Sequence, residues 1–127
     1  FVELYNQGAG DADLTGWTLK KRTSSGSSST LVAASRFDGR VIAAGRYLLL
    51  AHEGGYVGVV TPDIMWPPSY ALAYASNTLV LYNASQEVAD EVNWTEIPKD
   101  QSYARDLSAG NFALQGSSTP QNSQSVP

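Results

Sequence analysis

Phe1-Val2-Glu3-Leu4-Tyr5-Asn6 alternates apolar and polar side chains with a period of two, and Gly8-Ala9-Gly10-Asp11 follows as a turn. The reading is a strand, because a helix would repeat its apolar positions every three or four residues. Beyond the turn, Trp17 and Leu19 restart the alternation after Gly16. Asp38-Gly39 and Ala44-Gly45 then bracket Val41-Ile42, and Gly45 leads into Tyr47-Leu48-Leu49-Leu50-Ala51. That last run is apolar throughout, as a strand covered on both faces must be, so it is expected to be the buried central strand.

The same punctuation continues along the chain. Ser24 to Thr30, nearly pure Ser and Gly, is expected to be a mobile loop, with a strand recovered at Leu31 to Ala34. From His52 to Pro68 the pattern is broken by Gly54-Gly55, Gly58, Pro62, Pro67 and Pro68. Tyr70 to Tyr74 and Thr78 to Tyr82 read as two apolar runs joined by Ala75-Ser76-Asn77, and Asn83 to Gln86 reads as a turn. Val88, Asp90 and Val92 fall on one strand face, with Ala89, Glu91 and Asn93 on the other. Trp94 to Lys99 is expected to be a loop around Pro98, Ser102 to Arg105 a short strand, and Phe112-Ala113-Leu114 a last apolar anchor. Short strands at this spacing predict an all-β chain with little or no helix, an immunoglobulin-like β-sandwich of about seven to nine strands. The single domain would span 1–115, with 116–127 as a polar tail, strapped down or frayed. A barrel is the alternative architecture.

Composition narrows the functions. The chain has 127 residues, 8 Lys plus Arg and 12 Asp plus Glu, for a net charge of −4, and no cysteine. Lacking thiols, it cannot use a cysteine nucleophile, a thiolate zinc site or a cysteine-held iron–sulfur cluster. The acidic balance argues against nucleic acid, whose affinity comes mainly from Lys and Arg displacing counterions. The longest apolar stretch, Tyr70 to Ala75, is six residues, against about 20 for a spanning helix. Because Phe1 already lies in a strand pattern, the chain reads as an excerpt of a longer polypeptide, with any signal peptide or anchor upstream.

These residues resemble the lamin tail domain family. Phe1 to Asn6 looks like its "E-L-Y-N" strand, and Asp13-Leu14-Thr15-Gly16-Trp17-Thr18-Leu19 like its "D-L-S-G-W-x-L" strand. Ile42 to Ala51 is similar to its glycine turn and hydrophobic strand, Ser76 to Asn83 with Val88 to Trp94 to its late hairpin, and Gln101 to Arg105 to its "S-x-x-R" strand. Phe112 and Thr119-Pro120 resemble its closing stretch. The family's first strand, before "E-L-Y-N", has no counterpart here, which predicts an exposed edge strand. Ser24 to Thr30 and Pro62 to Ser69 look individual to this chain, and Pro120-Gln121-Asn122 lacks the family's glycine. The resemblance implies an immunoglobulin-like sandwich with binding or structural roles and no catalytic constellation. Lamins use the domain for partner proteins and chromatin, and bacteria for surface or extracellular accessory work.

Candidate chemistry is sparse. His52 is the only histidine, and no Gly-x-Ser-x-Gly elbow precedes it, so its plain reading is a solvated pair with Glu53. Asp90 and Glu91, adjacent on a strand, point to opposite faces and cannot act as a glycosidase pair. Asp11 and Asp13 are candidate cation ligands but fit turn capping better. Asn83-Ala84-Ser85 and Asn93-Trp94-Thr95 are sequons that matter only in a secreted eukaryotic setting. Lys20-Lys21-Arg22 reads as protection of a sheet edge. Trp17 and Trp94 suit the core.

The candidate recognition residues are Tyr56, Trp66 and Tyr70, either an exposed platform for a sugar ring or peptide, or, for Trp66, a plug over one end of the sandwich. The expected function is a non-catalytic binding or structural module of a larger exported or surface-associated bacterial protein. It would contact a protein partner or neighbouring domains of the same polypeptide, or pair with a second copy through an edge strand. No cofactor is implied. The alternative is a carbohydrate-binding module that stacks its aromatics on a glycan.

Overall fold

Two facing sheets carry the chain in the computed structural model, which describes residues 1–73, 75–98, 101–106, 110–116 and 120–125. The first sheet holds β1 (Val2–Tyr5), β6 (Tyr47–His52) and β7 (Ile64–Trp66) in the order β1-β6-β7, antiparallel between β1 and β6 and parallel between β6 and β7. The second runs β4 (Ser28–Val32), β3 (Thr18–Thr23), β8 (Ala75–Tyr82) and β9 (Val88–Glu96), antiparallel throughout. Two residue pairs, β2 (Ala12–Asp13) with β5 (Val41–Ile42), and the hairpin of β10 (Ser102–Arg105) with β11 (Phe112–Gln115), complete the strands, and α1 (Ala34–Phe37) is a single helical turn. The all-β expectation holds. Setting aside the two-residue β2 and β5, nine strands lie within the described residues.

The core forms where the sheets face each other. Leu48, Leu50, Ile64 and Trp66 from the first pack against Leu19, Leu31, Val32, Leu79, Leu81 and Trp94 from the second, with Leu14, Phe37 and Ile42 closing the ends. β6 is the central strand its apolar run predicts. Leu48 and Leu50 face the core, whereas Leu49 and Ala51 are wholly buried on the opposite face. That second face is covered by the chain's own end. Gln121 N–H donates to Glu3 Oε2 at 2.8 Å, Ser123 N–H and Oγ donate to Asp63 at 2.9 and 2.6 Å, and Arg46 donates to the Ser125 carbonyl at 3.1 Å. Glu3 pairs with Leu49 in register, so the segment 120–125 straps the face on which Leu49 is buried.

Gly16 closes the turn before β3 with φ +86, and a Cβ there would lie 3.0 Å from the Ala84 Cβ, so both conformation and space call for glycine. The predicted turn at Asn83 to Gln86 is present, Asn83 Oδ1 accepting the N–H groups of Ser85 and Glu87 at 3.0 Å each.

Several expectations are corrected. Ser28 to Thr30 are strand, not loop: Thr23 N–H donates to the Ser27 carbonyl, Gly26 adopts φ +91, and the serines pair with Lys20 to Arg22. An edge strand exposed on one side needs backbone pairing more than apolar side chains, which is why a serine run can supply it. Ala75-Ser76-Asn77 belongs to β8 and Trp94 to β9, so the hairpin is longer at both ends than its apolar residues suggest. Tyr70 to Ala73 is not strand, and Tyr74 lies outside the described residues. Lys20-Lys21-Arg22 does not protect an edge, because β3 lies inside its sheet between β4 and β8. Lys20 instead sits 5.6 Å from the Tyr82 ring centroid, Lys21 donates to the Ala71 carbonyl, and Arg22 pairs with Glu91 at 3.7 Å.

Burial raises the Glu3 carboxyl above its ordinary value, with the Gln121 N–H partly opposing the shift. A carboxyl that holds its proton more tightly folded than unfolded makes stability fall as pH rises from the ordinary carboxylate value through the raised one. Glu3→Gln is therefore expected to flatten that decline. Urea midpoints of parent and variant at about pH 4 and about pH 7 check it; an unchanged difference between the two pH values would contradict the assignment.

Candidate functional site

The predicted aromatic platform is not assembled. Trp66 is only 2 % exposed, packed in the core from β7, and its Nε1–H donates to the Tyr70 carbonyl at 3.2 Å. An indole buried with its one donor satisfied contributes packing and offers no face to a ligand. Of the two readings for Trp66, the structure takes the packed one. The ring is part of a sheet rather than a lid over it, because Leu50, Ala51 and His52 pair with Ile64, Met65 and Trp66. Tyr56 turns its hydroxyl onto the Val60 carbonyl at 2.8 Å and meets Phe1 edge-on at 6.3 Å. Tyr70 is 41 % exposed. The loop tip between β6 and β7 presents Val57 and Val59, 94 % and 100 % exposed, which sequence reasoning passed over.

Other candidates find structural employment. His52 donates from Nε2 to the Pro68 carbonyl at 3.0 Å and stands edge-on to Trp66, pinning the chain beyond β7. Asp13 Oδ1 accepts the N–H and hydroxyl of Thr15 at 3.0 and 2.8 Å, which holds its carboxyl below the ordinary value, and Asp11 accepts the Ala44 N–H at 3.2 Å. Both aspartates are turn acceptors. Asp90 and Glu91 point apart, the first to Arg105 and the second to Arg22. Asn83 caps its turn and Asn93 lies exposed on β9. Among the described residues no three His, Cys, Asp or Glu side chains gather as metal ligands, and no helix is long and apolar enough to cross a membrane.

A further feature lies elsewhere. A cavity of about 870 Å³ opens between β1, β9 and the β10–β11 hairpin. Its floor is the core itself, with Leu19, Leu79 and Leu81, and its walls include Leu4, Val92 and Tyr103. Sheets that pack closely leave few voids larger than a water molecule, so an opening of this size marks a place where the sandwich stands apart. The hairpin forms one wall, where Tyr103 stacks on Phe112 at 5.3 Å and the Arg105 guanidinium lies 4.6 Å from the Phe112 centroid. Arg105 grips Asp90 with two hydrogen bonds of 2.9 Å, which raise its pKa and tie β10 to β9. Among the described residues that line it, the charged side chains that face one another are Asp90 and Arg105, a matched pair, while Glu3 turns to Gln121 and Glu91 to Arg22.

Residues 1–96 match the sequence model of the Lamin Tail Domain, which is 96 of the chain's 127 residues. The chain belongs to the lamin tail domain family. The match spans both faces of the sandwich from β1 to the end of β9, and leaves outside it the β10–β11 hairpin and the strap at 120–125. A comparison with curated proteins finds no match. This lamin tail domain therefore has the immunoglobulin-like fold of its family, a family whose domains are in general non-catalytic. Its cavity is walled by strands from inside the matched region and by a hairpin from beyond it.

Proposed function

We propose that this lamin tail domain is a non-catalytic module of a larger exported or surface-associated bacterial protein, and that it binds a protein partner or a neighbouring domain through the open side of its sandwich. The observation that carries the reading is the cavity of about 870 Å³ with a floor of core leucines. Apolar lining with a few polar groups at the margin is the composition of binding clefts. The single histidine, held on a backbone carbonyl at the far end of β6, supplies no acid–base partner to that cleft.

The glycan reading draws less support. Stacking on sugar rings asks for exposed aromatic faces, and Trp66 and Trp94 are buried, with the Trp94 indole N–H donating to the Ala73 carbonyl at 3.2 Å. Of the aromatics lining the cleft, among them Tyr5, Trp17 and Tyr47, Tyr103 is the one on β10. Its stack with Phe112 lies outside the ladders of both main sheets but its ring also packs against the core, so Tyr103→Ala, with folding checked by circular dichroism, is expected to weaken partner binding by more than about 1 kcal/mol. The measurement is co-purification from envelope fractions, followed by titration of the purified partner against parent and Tyr103→Ala by calorimetry. Equal affinity for both proteins, or a glycan-array signal with no protein partner, would overturn the reading.

A further inference from the structure

We infer that the turn Asn122-Ser123-Gln124-Ser125 is an exchangeable plug, and that its seat on the first sheet takes the same turn from a second copy of this chain, so that two copies lock by reciprocal exchange. The inference does not rest on the cleft: the seat lies on the face of β6 that buries Leu49.

The turn holds its own shape. The Ser125 N–H donates to the Asn122 carbonyl at 3.0 Å, the Gln124 N–H to Asn122 Oδ1 at 3.0 Å, and the Asn122 N–H to Ser125 Oγ at 3.0 Å. These bonds lie within four residues, so the turn keeps its form off the sheet and loses little freedom when it docks. A segment shaped only by the sheet would have to refold in each new seat.

The seat is matched to that shape. Glu3 on β1 accepts the Gln121 N–H at 2.8 Å, and Asp63, just before β7, accepts the N–H and hydroxyl of Ser123 at 2.9 and 2.6 Å. The Thr61 carbonyl accepts from Asn122 Nδ2 at 2.9 Å, and Arg46, just before β6, donates to the Ser125 carbonyl at 3.1 Å. Residues 121–125 supply every group on the other side, and none of the five is apolar. A contact held by hydrogen bonds, with no apolar side chain of its own to bury, opens more readily than the core. Opening uncovers the face on which Leu49 and Ala51 are wholly buried, and apolar surface laid bare is driven to be covered again. A second copy's turn brings the same groups to the same seat, which is the low-cost condition for exchange. Within one chain the tethered turn competes at an effective concentration on the order of millimolar, so the parent is expected to be a monomer at micromolar concentration.

Two variants of the 127-residue chain test this, each spoiling its own pairing. Ser123→Asp sets a carboxylate against Asp63, and Asp63→Arg removes the acceptor of Ser123. Exchange between the two restores both seats, because the introduced arginine meets the introduced aspartate and the native Asp63 meets a native Ser123. Sedimentation is run at physiological salt, where the net charge of −4 on each copy is screened beyond about 8 Å. Expected from the mixture is a heterodimer at micromolar concentration, about tenfold or more tighter than the self-association of either variant. Amide exchange at Leu49 of the Ser123→Asp chain should slow on mixing. Two folded variants that stay monomeric when mixed overturn the inference, and so does a heterodimer in which that Leu49 gains no protection. Should Asp63→Arg fail to fold, the Ser123→Asp chain, whose seat is intact, is titrated with the free hexapeptide Pro120–Ser125: binding that protects Leu49 supports exchange, and absence of binding overturns it.

Discussion

Trp66→Ala is expected to lower the unfolding free energy by about 3–5 kcal/mol, the usual range for emptying a buried tryptophan site. The reason is position. Trp66 ends β7 in register with His52, packs in the core at 2 % exposure, and carries the hydrogen bond that holds Tyr70 over the sheet end. Truncation removes the ring, opens a void between sheets that cannot fully close, and frees the segment running from Pro67. Since small domains hold about 5–15 kcal/mol in all, the variant should lie near the edge of folding at physiological temperature. Guanidinium unfolding followed by fluorescence and circular dichroism measures the change. A loss below about 1 kcal/mol would mean that Trp66 is not the packed residue the structure places in the core.

The second large effect is expected at Asp63. Its carboxylate accepts the Leu49 N–H at 2.9 Å and both the N–H and the hydroxyl of Ser123, so one side chain joins β6, β7 and the segment 120–125. Asp63→Ala should cost about 2–4 kcal/mol, because it removes charge-assisted hydrogen bonds and leaves the Leu49 N–H without its acceptor beneath a covered face. Ser123→Ala removes only the hydroxyl and should cost about 1 kcal/mol. A double-mutant cycle of the two reads the coupling directly, and amide exchange at Leu49 should speed up in Asp63→Ala. Full additivity, with the tail no more open to protease than in the parent, would show that the strap contributes nothing to the buried face.

Much of the fold was legible in local pattern. Tyr47 to Ala51 announced a strand covered on both faces because nothing polar interrupts it, and Asp13 to Leu19 announced a turn and strand because Gly16 sits where the backbone needs positive φ. β7 was hidden by its surroundings: Pro62, Pro67 and Pro68 read as breakers, yet proline is compatible with the limits of an edge strand, and β7 is one. The alternation of buried Ile64, exposed Met65 and buried Trp66 was the signal available there. β4 was masked by serines, whose side chains say little when the backbone of β3 supplies the pairing. The cleft had no local signature, being built from β1, β9 and a hairpin about a hundred residues further along the chain than β1.

The sequence alone determined the class of structure, the places of most strands, the turns that need glycine and asparagine, and the exclusion of thiol chemistry. Those properties depend on nearest neighbours, since side-chain period, φ preference and turn hydrogen bonding act over a few residues. The tertiary structure decided which strands end their sheets, that Trp66 is core rather than contact surface, that Lys20 to Arg22 lie inside a sheet, and that the tail reaches back from Gln121 to Glu3. Each is a relation between segments far apart in the chain. Whether a residue is buried or an edge is free is set by what long-range folding brings beside it.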